Sequence, residues 1–258
     1  MLAANAALEQ AKSGLAALCA GAGIDDSHGV KHAEAVLSHA EGAISAASLQ
    51  LPEARALSVR LAALLHDADD HKYFGKESAA NMANARRIME EAGVDASVVV
   101  DSLEMISLVS CSKNGNSFPA RARDEPELLW PRWADRLEAA GEIGVARCYV
   151  HNMRAGDPLS TEQSPRAQSE AEAFEIATEE RFQRYQERGG SSESMIDHYF
   201  DKLLQVARPH PSLVRNAYLE AEAADRARPL LDVVLHFGTV GTVDVEAIEA
   251  LVAKCGLG

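Results

Sequence analysis

The sequence predicts an all-α protein, and two observations support that prediction. Of its 258 residues, 47% are hydrophobic while only 5% are aromatic, and alanine is frequent throughout. A core of so many small side chains favours closely packed helices over broad sheets. Apolar residues also recur three and four positions apart along most of the chain, which is the spacing of one buried helix face.

Helix-breaking and capping residues divide the chain into elements. Gly21 and Gly23 end the first predicted helix, and Pro52 begins the third at a first-turn position that proline tolerates. We expect a loop at 118–131, a surface segment at 154–170 that is either a mobile loop or a lid, and a short tail after the last helix. The pattern predicts helices at 2–20, 28–49, 52–65, 77–92, 96–109, 133–150, 171–187, 195–207 and 211–236.

The organisation of the chain is expected to be simple. Because neither an internal repeat nor a long linker divides it, we predict a single domain over residues 1–258. A metal-binding core is expected at about 24–150, and a C-terminal helical part at about 171–240.

The charge balance restricts the partners. A formal net charge of −14 disfavours binding of an extended nucleic acid, whereas a local metal ion can still attract a small anionic substrate. The four cysteines form no CxxC pair, which indicates reduced thiols rather than a disulfide framework. Since the chain lacks an apolar run long enough to span a membrane, we expect a cytoplasmic protein without a membrane partner.

The most informative motif is the pair His66-Asp67 at the end of the third predicted helix. That helix is apolar on nearly every side, so we expect it to be buried. An imidazole and a carboxylate are costly in such a place unless something pairs with them. A divalent cation is a suitable partner, because nitrogen and oxygen ligands together suit transition metals.

Three further residues are candidates for the same site. His28 and His32 stand four apart on the second predicted helix and therefore share one face. Asp135 lies among apolar residues on a helix that otherwise faces inward, where a lone carboxylate needs a cation.

The order of these residues resembles the HD-domain superfamily of metal-dependent phosphohydrolases, whose pattern H…HD…D is present here as His32, His66-Asp67 and Asp135. The chain is most similar to the small bacterial-type HD hydrolases, some of which look like nucleoside-triphosphate pyrophosphohydrolases. The resemblance covers roughly residues 20–240. It rests on four stretches of sequence, at 27–32, 64–67, 134–147 and 195–204.

The resemblance implies a compact helical bundle with one divalent transition metal. His32, His66, Asp67 and Asp135 would be the ligands. Manganese is the first expectation, with iron, nickel, zinc, cobalt and magnesium as alternatives. Two-metal members carry extra histidines between the doublet and the last aspartate, whereas this interval holds only His71.

The resemblance also implies roles around the metal. Asp70, three positions after the aspartate of the doublet, would be the general acid or base. Lys72 and Lys113 are candidates to bind substrate phosphate, as are His28 and Arg136.

Three polar residues near these motifs are not assigned to the metal or to catalysis. Asp69 is expected to be solvated. His198 and Lys202 stand four apart on the predicted helix 195–207, and their role is left open between substrate contact and a polar edge that packs over the site.

The sequence therefore predicts hydrolysis of a small phosphorylated compound, such as conversion of a nucleoside triphosphate to a monophosphate and pyrophosphate. The alternatives are hydrolysis of a guanosine polyphosphate alarmone and a non-catalytic, metal-containing binding module. Substrate, native metal and oligomeric state, including a homodimer, are not determined by the sequence.

Overall fold

The computed structural model describes residues 2–24, 29–208 and 211–257, and every regular element in these ranges is helical. The all-α prediction is therefore confirmed. None of the described helices is both long and apolar enough to cross a membrane.

The first helices follow the predicted boundaries closely, and α6 matches its prediction at both ends. Two short 3-10 turns, Ala120–Arg123 and Pro126–Leu129, occupy the predicted loop 118–131. The α-helices of this part are α1 (Leu2–Ala22), α2 (Val30–Ser45), α3 (Glu53–Leu65), α4 (His71–Asn81), α5 (Ala83–Glu91), α6 (Ala96–Val109), α7 (Cys111–Asn114) and α8 (Trp130–Glu138).

The later part of the chain contains more and shorter helices than predicted. A π-helical turn, Tyr199–Leu203, joins α12 to α13. The α-helices are α9 (Gly141–Ala155), α10 (Glu170–Ile176), α11 (Glu179–Glu187), α12 (Met195–His198), α13 (Leu204–Ala207), α14 (Pro211–Val214), α15 (Ala217–Val240) and α16 (Val245–Lys254).

The described residues group into two compact units. Unit 1 comprises those up to Asp135 together with Pro211–Leu219, and unit 2 comprises those from Arg136 to Arg208 and from Glu220 onward. The single-domain organisation expected from the sequence remains a prediction.

Helix α3 is the centre of unit 1. Its residues 61–65 are 0–1% exposed, and it packs against α1, α2 and α6. Such burial explains why this helix is apolar on nearly every side. Helix α1 contributes a stripe of buried residues at three- and four-residue spacing, including Ala11, Leu15 and Cys19.

The predicted helix 77–92 is wrong, because the chain forms two helices there. Met82 lies between α4 and α5 with a φ of 49°, in the left-handed region that interrupts a helix. The carboxylate of Asp69 accepts hydrogen bonds from the backbone N–H groups of Asn84 and Ala85. This long-range cap satisfies the first turn of α5 and fixes where that helix begins.

Three other predicted helices are also interrupted. The segment 133–150 breaks after α8 and resumes at α9, and 211–236 breaks between α14 and α15, where Arg215 has a φ of 46°. In 171–187, α10 ends at Ile176, and the Thr178 side chain accepts from the N–H of Arg181 to begin α11. At this last break a local side-chain cap overrides a continuous helical pattern.

The core of unit 2 surrounds the helix that contains the π turn. Tyr199, Phe200, Leu230 and Phe237 are at most 1% exposed. The expected tail is wrong, since α15 extends to Val240 and the new helix α16 follows it.

The segment 154–170 is irregular between Ala155 and Glu170, as predicted, but it is held in place. Ser164 is buried and donates to Asp197, and the backbone N–H of Met195 donates to the carbonyl of Pro158. Gly238 of α15 passes so close to Ala167 that a Cβ atom would lie 1.8 Å from the Ala167 oxygen. These contacts tie the segment to α12 and α15 within unit 2.

Candidate metal centre

Four predicted ligands converge in unit 1 from three helices. His32 lies on α2, His66 and Asp67 follow the last residue of α3, and Asp135 lies on α8. His32 Nε2 is 3.2 Å from His66 Nε2 and 3.3 Å from Asp135 Oδ1. His66 Nε2 is 3.4 Å from Asp67 Oδ2 and 3.5 Å from Asp135 Oδ1.

The ring of His66 is oriented for metal binding by a backbone carbonyl. Its Nδ1 lies 2.8 Å from the oxygen of Ala63, which can only accept, so Nδ1 carries the proton. In the neutral ring Nε2 then has a free lone pair, and this is the atom that faces the other three side chains. A hydrogen bond of this kind commonly fixes the tautomer of a metal-ligating histidine.

The electrostatics show that the cluster attracts positive charge. Burial disfavours the protonated imidazole of His66, but the carboxylates of Asp67 and Asp135 outweigh it and raise the pKa of His66 well above its usual value. Burial also opposes ionisation of both carboxyls, yet the neighbouring imidazoles lower the pKa of Asp67 and that of Asp135. The two carboxylates therefore stay ionised beside groups that bind protons or metals.

The ligand atoms of His32, His66 and Asp67 are spaced for one divalent ion, and Asp135 lies next to both imidazoles. With metal–ligand bonds of about 2.1 Å, neighbouring ligand atoms lie about 3.0 Å apart in octahedral and about 3.4 Å apart in tetrahedral geometry. The four shortest imidazole–imidazole and imidazole–carboxylate separations span 3.2–3.5 Å. The ligand atoms of His32, His66 and Asp67 all lie within 4.8 Å of one another.

Comparison with known proteins gives one clear sequence relative. The uncharacterized protein L803 of Acanthamoeba polyphaga mimivirus is 36% identical over 222 residues, which cover 81% of this chain and 88% of that protein. This chain belongs to the same family as L803. No established family model matches the sequence.

Solved structures show that this relative of L803 has the HD-domain fold. A Bacillus thuringiensis HD-superfamily hydrolase is 19% identical, with a TM-score of 0.59 over 89% of this chain and 94% of that one. A Lactobacillus plantarum protein has a TM-score of 0.59 at 22% identity, covering 93% of this chain and 96% of that one. The Lin1889 protein of Listeria innocua has a TM-score of 0.57 at 16% identity, covering 91% and 94%. The HD-domain fold that the resemblance implied is therefore confirmed.

The two aspartates after the doublet have different roles in this L803 relative. Asp70 caps α4, since its Oδ1 accepts from the N–H of Lys72 at 2.9 Å. Asp69 is 8% exposed, and its carboxylate accepts from Ser78 as well as from the first turn of α5. The expectation that Asp69 is solvated is therefore wrong, because it holds α4 and α5 together.

The remaining predicted site residues occupy varied environments. Lys72 and Lys113 are exposed, on α4 and α7, and Arg136 of unit 2 is 3% exposed. Within the described residues, neither lysine forms an ion pair with Asp67 or Asp135. His28 lies outside the described residues.

A small apolar cavity adjoins the cluster. His32 and Asp67 line one side, and Leu18, Cys19 and Phe74 are among the residues that line the rest. No signal in the sequence marks these residues, since Leu18 and Cys19 of the amphipathic helix α1 look like ordinary core. Burial and the nearby Asp67 raise the pKa of the Cys19 thiol.

Proposed function

We propose that this protein is a metal-dependent phosphohydrolase that acts on a nucleotide or a related small phosphate compound. The observation that carries the proposal is the convergence of two imidazoles and two carboxylates in unit 1. Among the described residues, no lysine or arginine forms an ion pair with Asp67 or Asp135. The HD-superfamily hydrolase from Bacillus thuringiensis supports the hydrolase assignment by its likeness in fold.

A bound divalent ion, for which manganese is our first choice, would lower the pKa of a coordinated water and neutralise charge on a phosphate oxygen. His32, His66, Asp67 and Asp135 would hold it. The His66–Ala63 hydrogen bond keeps one of the imidazoles in the tautomer that can coordinate the ion.

Asp70 is proposed as the general acid or base. It stands at the end of a turn in which its own N–H donates to the carbonyl of Asp67, at 3.1 Å. Its cap on α4 fixes the direction of the carboxylate, which is a requirement for proton transfer at a defined position. His28, Lys72, Lys113 and Arg136 are proposed to contribute to phosphate binding.

The test is a substrate screen with the manganese-loaded protein. The panel contains ribo- and deoxyribonucleoside triphosphates, a guanosine polyphosphate, pyrophosphate and a phosphomonoester. We expect turnover of at least one of these compounds, and the products distinguish release of pyrophosphate from cleavage of a monoester. Absence of turnover on the whole panel would contradict the proposal in favour of a binding module.

Asp70→Asn tests the proposed proton transfer. The variant should lower kcat about 10²- to 10⁴-fold while the protein keeps its full metal content. Asp225→Asn is the matched control, because Asp225 is exposed and pairs only with Arg228 in the described contacts. Wild-type kcat in Asp70→Asn would rule out Asp70 as the acid or base.

A further inference from the structure

Two basic side chains of unit 2 lie together at a π-helical turn. His198 is the last residue of α12, and Lys202 lies within the turn Tyr199–Leu203 that follows it. A π turn is rare and is frequently found at functional sites, because it widens the helix and redirects side chains. Both side chains are partly buried.

The ring of Tyr185 brings these two groups to one place. The His198 ring meets it edge-on, with the centroids 5.3 Å apart. The Lys202 ammonium lies 5.9 Å from the centroid of the same ring. A lysine over an aromatic face is held by the ring quadrupole while its ammonium can still contact a further group.

The acidic residues of the same helical segment pair with an arginine rather than with Lys202. Asp197 and Asp201 both pair with Arg181, at 3.2 and 2.8 Å. Ser164 and Ser194 donate to Asp197, and a serine hydroxyl also donates to Asp201. These contacts leave Lys202 without an acid: among the described residues, no carboxylate lies within ion-pair distance of its ammonium.

The neighbouring titratable groups do not supply the missing negative charge. Burial, together with Lys202 and His151, lowers the pKa of His198 to about 3, so its imidazole is neutral at pH 7. Burial raises the pKa of the Cys148 thiol to about 12, although Lys202 partly offsets this. Neither the imidazole of His198 nor the thiol of Cys148 therefore supplies a negative charge that could pair with the Lys202 side chain.

We propose that Lys202 and His198 form a binding site for a phosphate group. The ammonium would pair with a phosphate oxygen, and the neutral imidazole would donate one N–H to another. The phosphate could belong to a substrate or be a free phosphate or pyrophosphate ion. The proposal concerns anion binding in unit 2 and does not depend on the hydrolase function proposed above.

Calorimetric titration of the EDTA-treated 258-residue chain with pyrophosphate at pH 7 tests the site. Lys202→Met should weaken binding at least about tenfold, whereas Lys202→Arg should retain most of the affinity. Lys254→Met is the matched control. It removes the same charge from an exposed lysine that pairs with Glu142, and it should leave the affinity unchanged.

Nuclear magnetic resonance of the histidine side chains provides a readout that a merely structural role would not change. Pyrophosphate should shift the ring resonances of His198 but not those of His39, which is hydrogen-bonded to Tyr218 in unit 1. Unchanged affinity in Lys202→Met, absence of pyrophosphate binding to the wild type, or unshifted His198 resonances would each overturn the proposal.

Kinetic measurements on Lys202→Met, with any substrate that the screen finds, distinguish the two sources of phosphate. If Lys202→Met raises KM and largely keeps kcat, the site takes a phosphate of the substrate. If it instead weakens inhibition by inorganic phosphate or pyrophosphate at unchanged KM, the site takes the free ion. If the screen finds no substrate, the calorimetric titration alone decides whether Lys202 and His198 bind phosphate.

Discussion

The two units each contain a cluster of acidic and basic side chains, and the clusters differ in their source of positive charge. In unit 2 the guanidinium of Arg181 pairs with Asp197 and Asp201, and serine hydroxyls satisfy further carboxylate oxygens. In unit 1 the carboxylates of Asp67 and Asp135 face only imidazoles within the described contacts.

This difference favours a structural network in unit 2 and supports the metal site proposed in unit 1. A guanidinium is permanently charged, so the unit 2 cluster is complete as the chain folds. Imidazoles are neutral unless they bind a proton. The negative charge of the unit 1 carboxylates is therefore balanced only when a proton or a metal ion binds. The raised pKa of His66 and the lowered pKa of Asp135 follow from the same requirement.

Asp67→Ala should have the largest effect on the unit 1 cluster, because it removes a proposed ligand. Removing a residue that only hydrogen-bonds to a metal ligand already lowers metal affinity or activity about 10- to 100-fold. Removing a ligand itself should therefore lower the metal affinity at least about a hundredfold. Elemental analysis should show depleted metal. Manganese should raise the Tm of the wild type but not that of the variant. Full metal content in Asp67→Ala would contradict its role as a ligand.

Arg181→Met should destabilise unit 2 without changing the metal content. It leaves two largely buried carboxylates without their cation, which is expected to cost about 3 kcal/mol in the free energy of unfolding. Urea denaturation measures this loss. Arg228→Met is the control, since its exposed pair with Asp225 should contribute less than about 1 kcal/mol. Equal stability of the two variants would show that the Arg181 network is not structural.

His198→Gln should have an effect on the free energy of unfolding that is small near pH 7 and grows as the pH falls. The pKa of His198 is about 3 in the folded chain against an ordinary value of 6.5. The unfolded state therefore binds the proton more readily between these values, and the wild type loses stability as the pH falls from 6.5 towards 3. Between these two pKa values, one such group lowers the free energy of unfolding by about 1.4 kcal/mol for each pH unit.

The pH dependence is measured by denaturant unfolding between pH 7 and pH 4. The His198→Gln variant should show a shallower loss of stability than the wild type, while substitution of the exposed His71 is the control. Parallel curves for His198→Gln and the wild type would contradict the lowered pKa of this buried imidazole.

The sequence predicted helices best where their limits are set locally. Helix α6 matches its prediction because Gly93, with a φ of 70°, interrupts the chain just before it and a polar stretch follows it. The break between α4 and α5 depends on Asp69, which lies thirteen residues before the break at Met82 and reaches α5 only through the tertiary fold. Periodicity within one window cannot reveal such a cap.

The candidate site was predictable for a different reason. His66 and Asp67 stand out because charged side chains end an apolar helix, and a buried position needs a partner for them. His32 and Asp135 were candidates from helical spacing and from apolar surroundings, and the ordered pattern of the HD-domain superfamily then joined them to the doublet. The role of Asp69, by contrast, could not be predicted, because an acid beside a catalytic motif looks the same in sequence whether it is solvated or buried.

Anomalous diffraction at the manganese edge, from crystals of the metal-loaded wild type, tests the central claim most directly. We predict one peak about 2.0–2.4 Å from Nε2 of both His32 and His66 and from a carboxylate oxygen of both Asp67 and Asp135. A protein saturated with manganese that shows no peak among these four side chains, or a peak that Asp135 does not reach, would contradict the account.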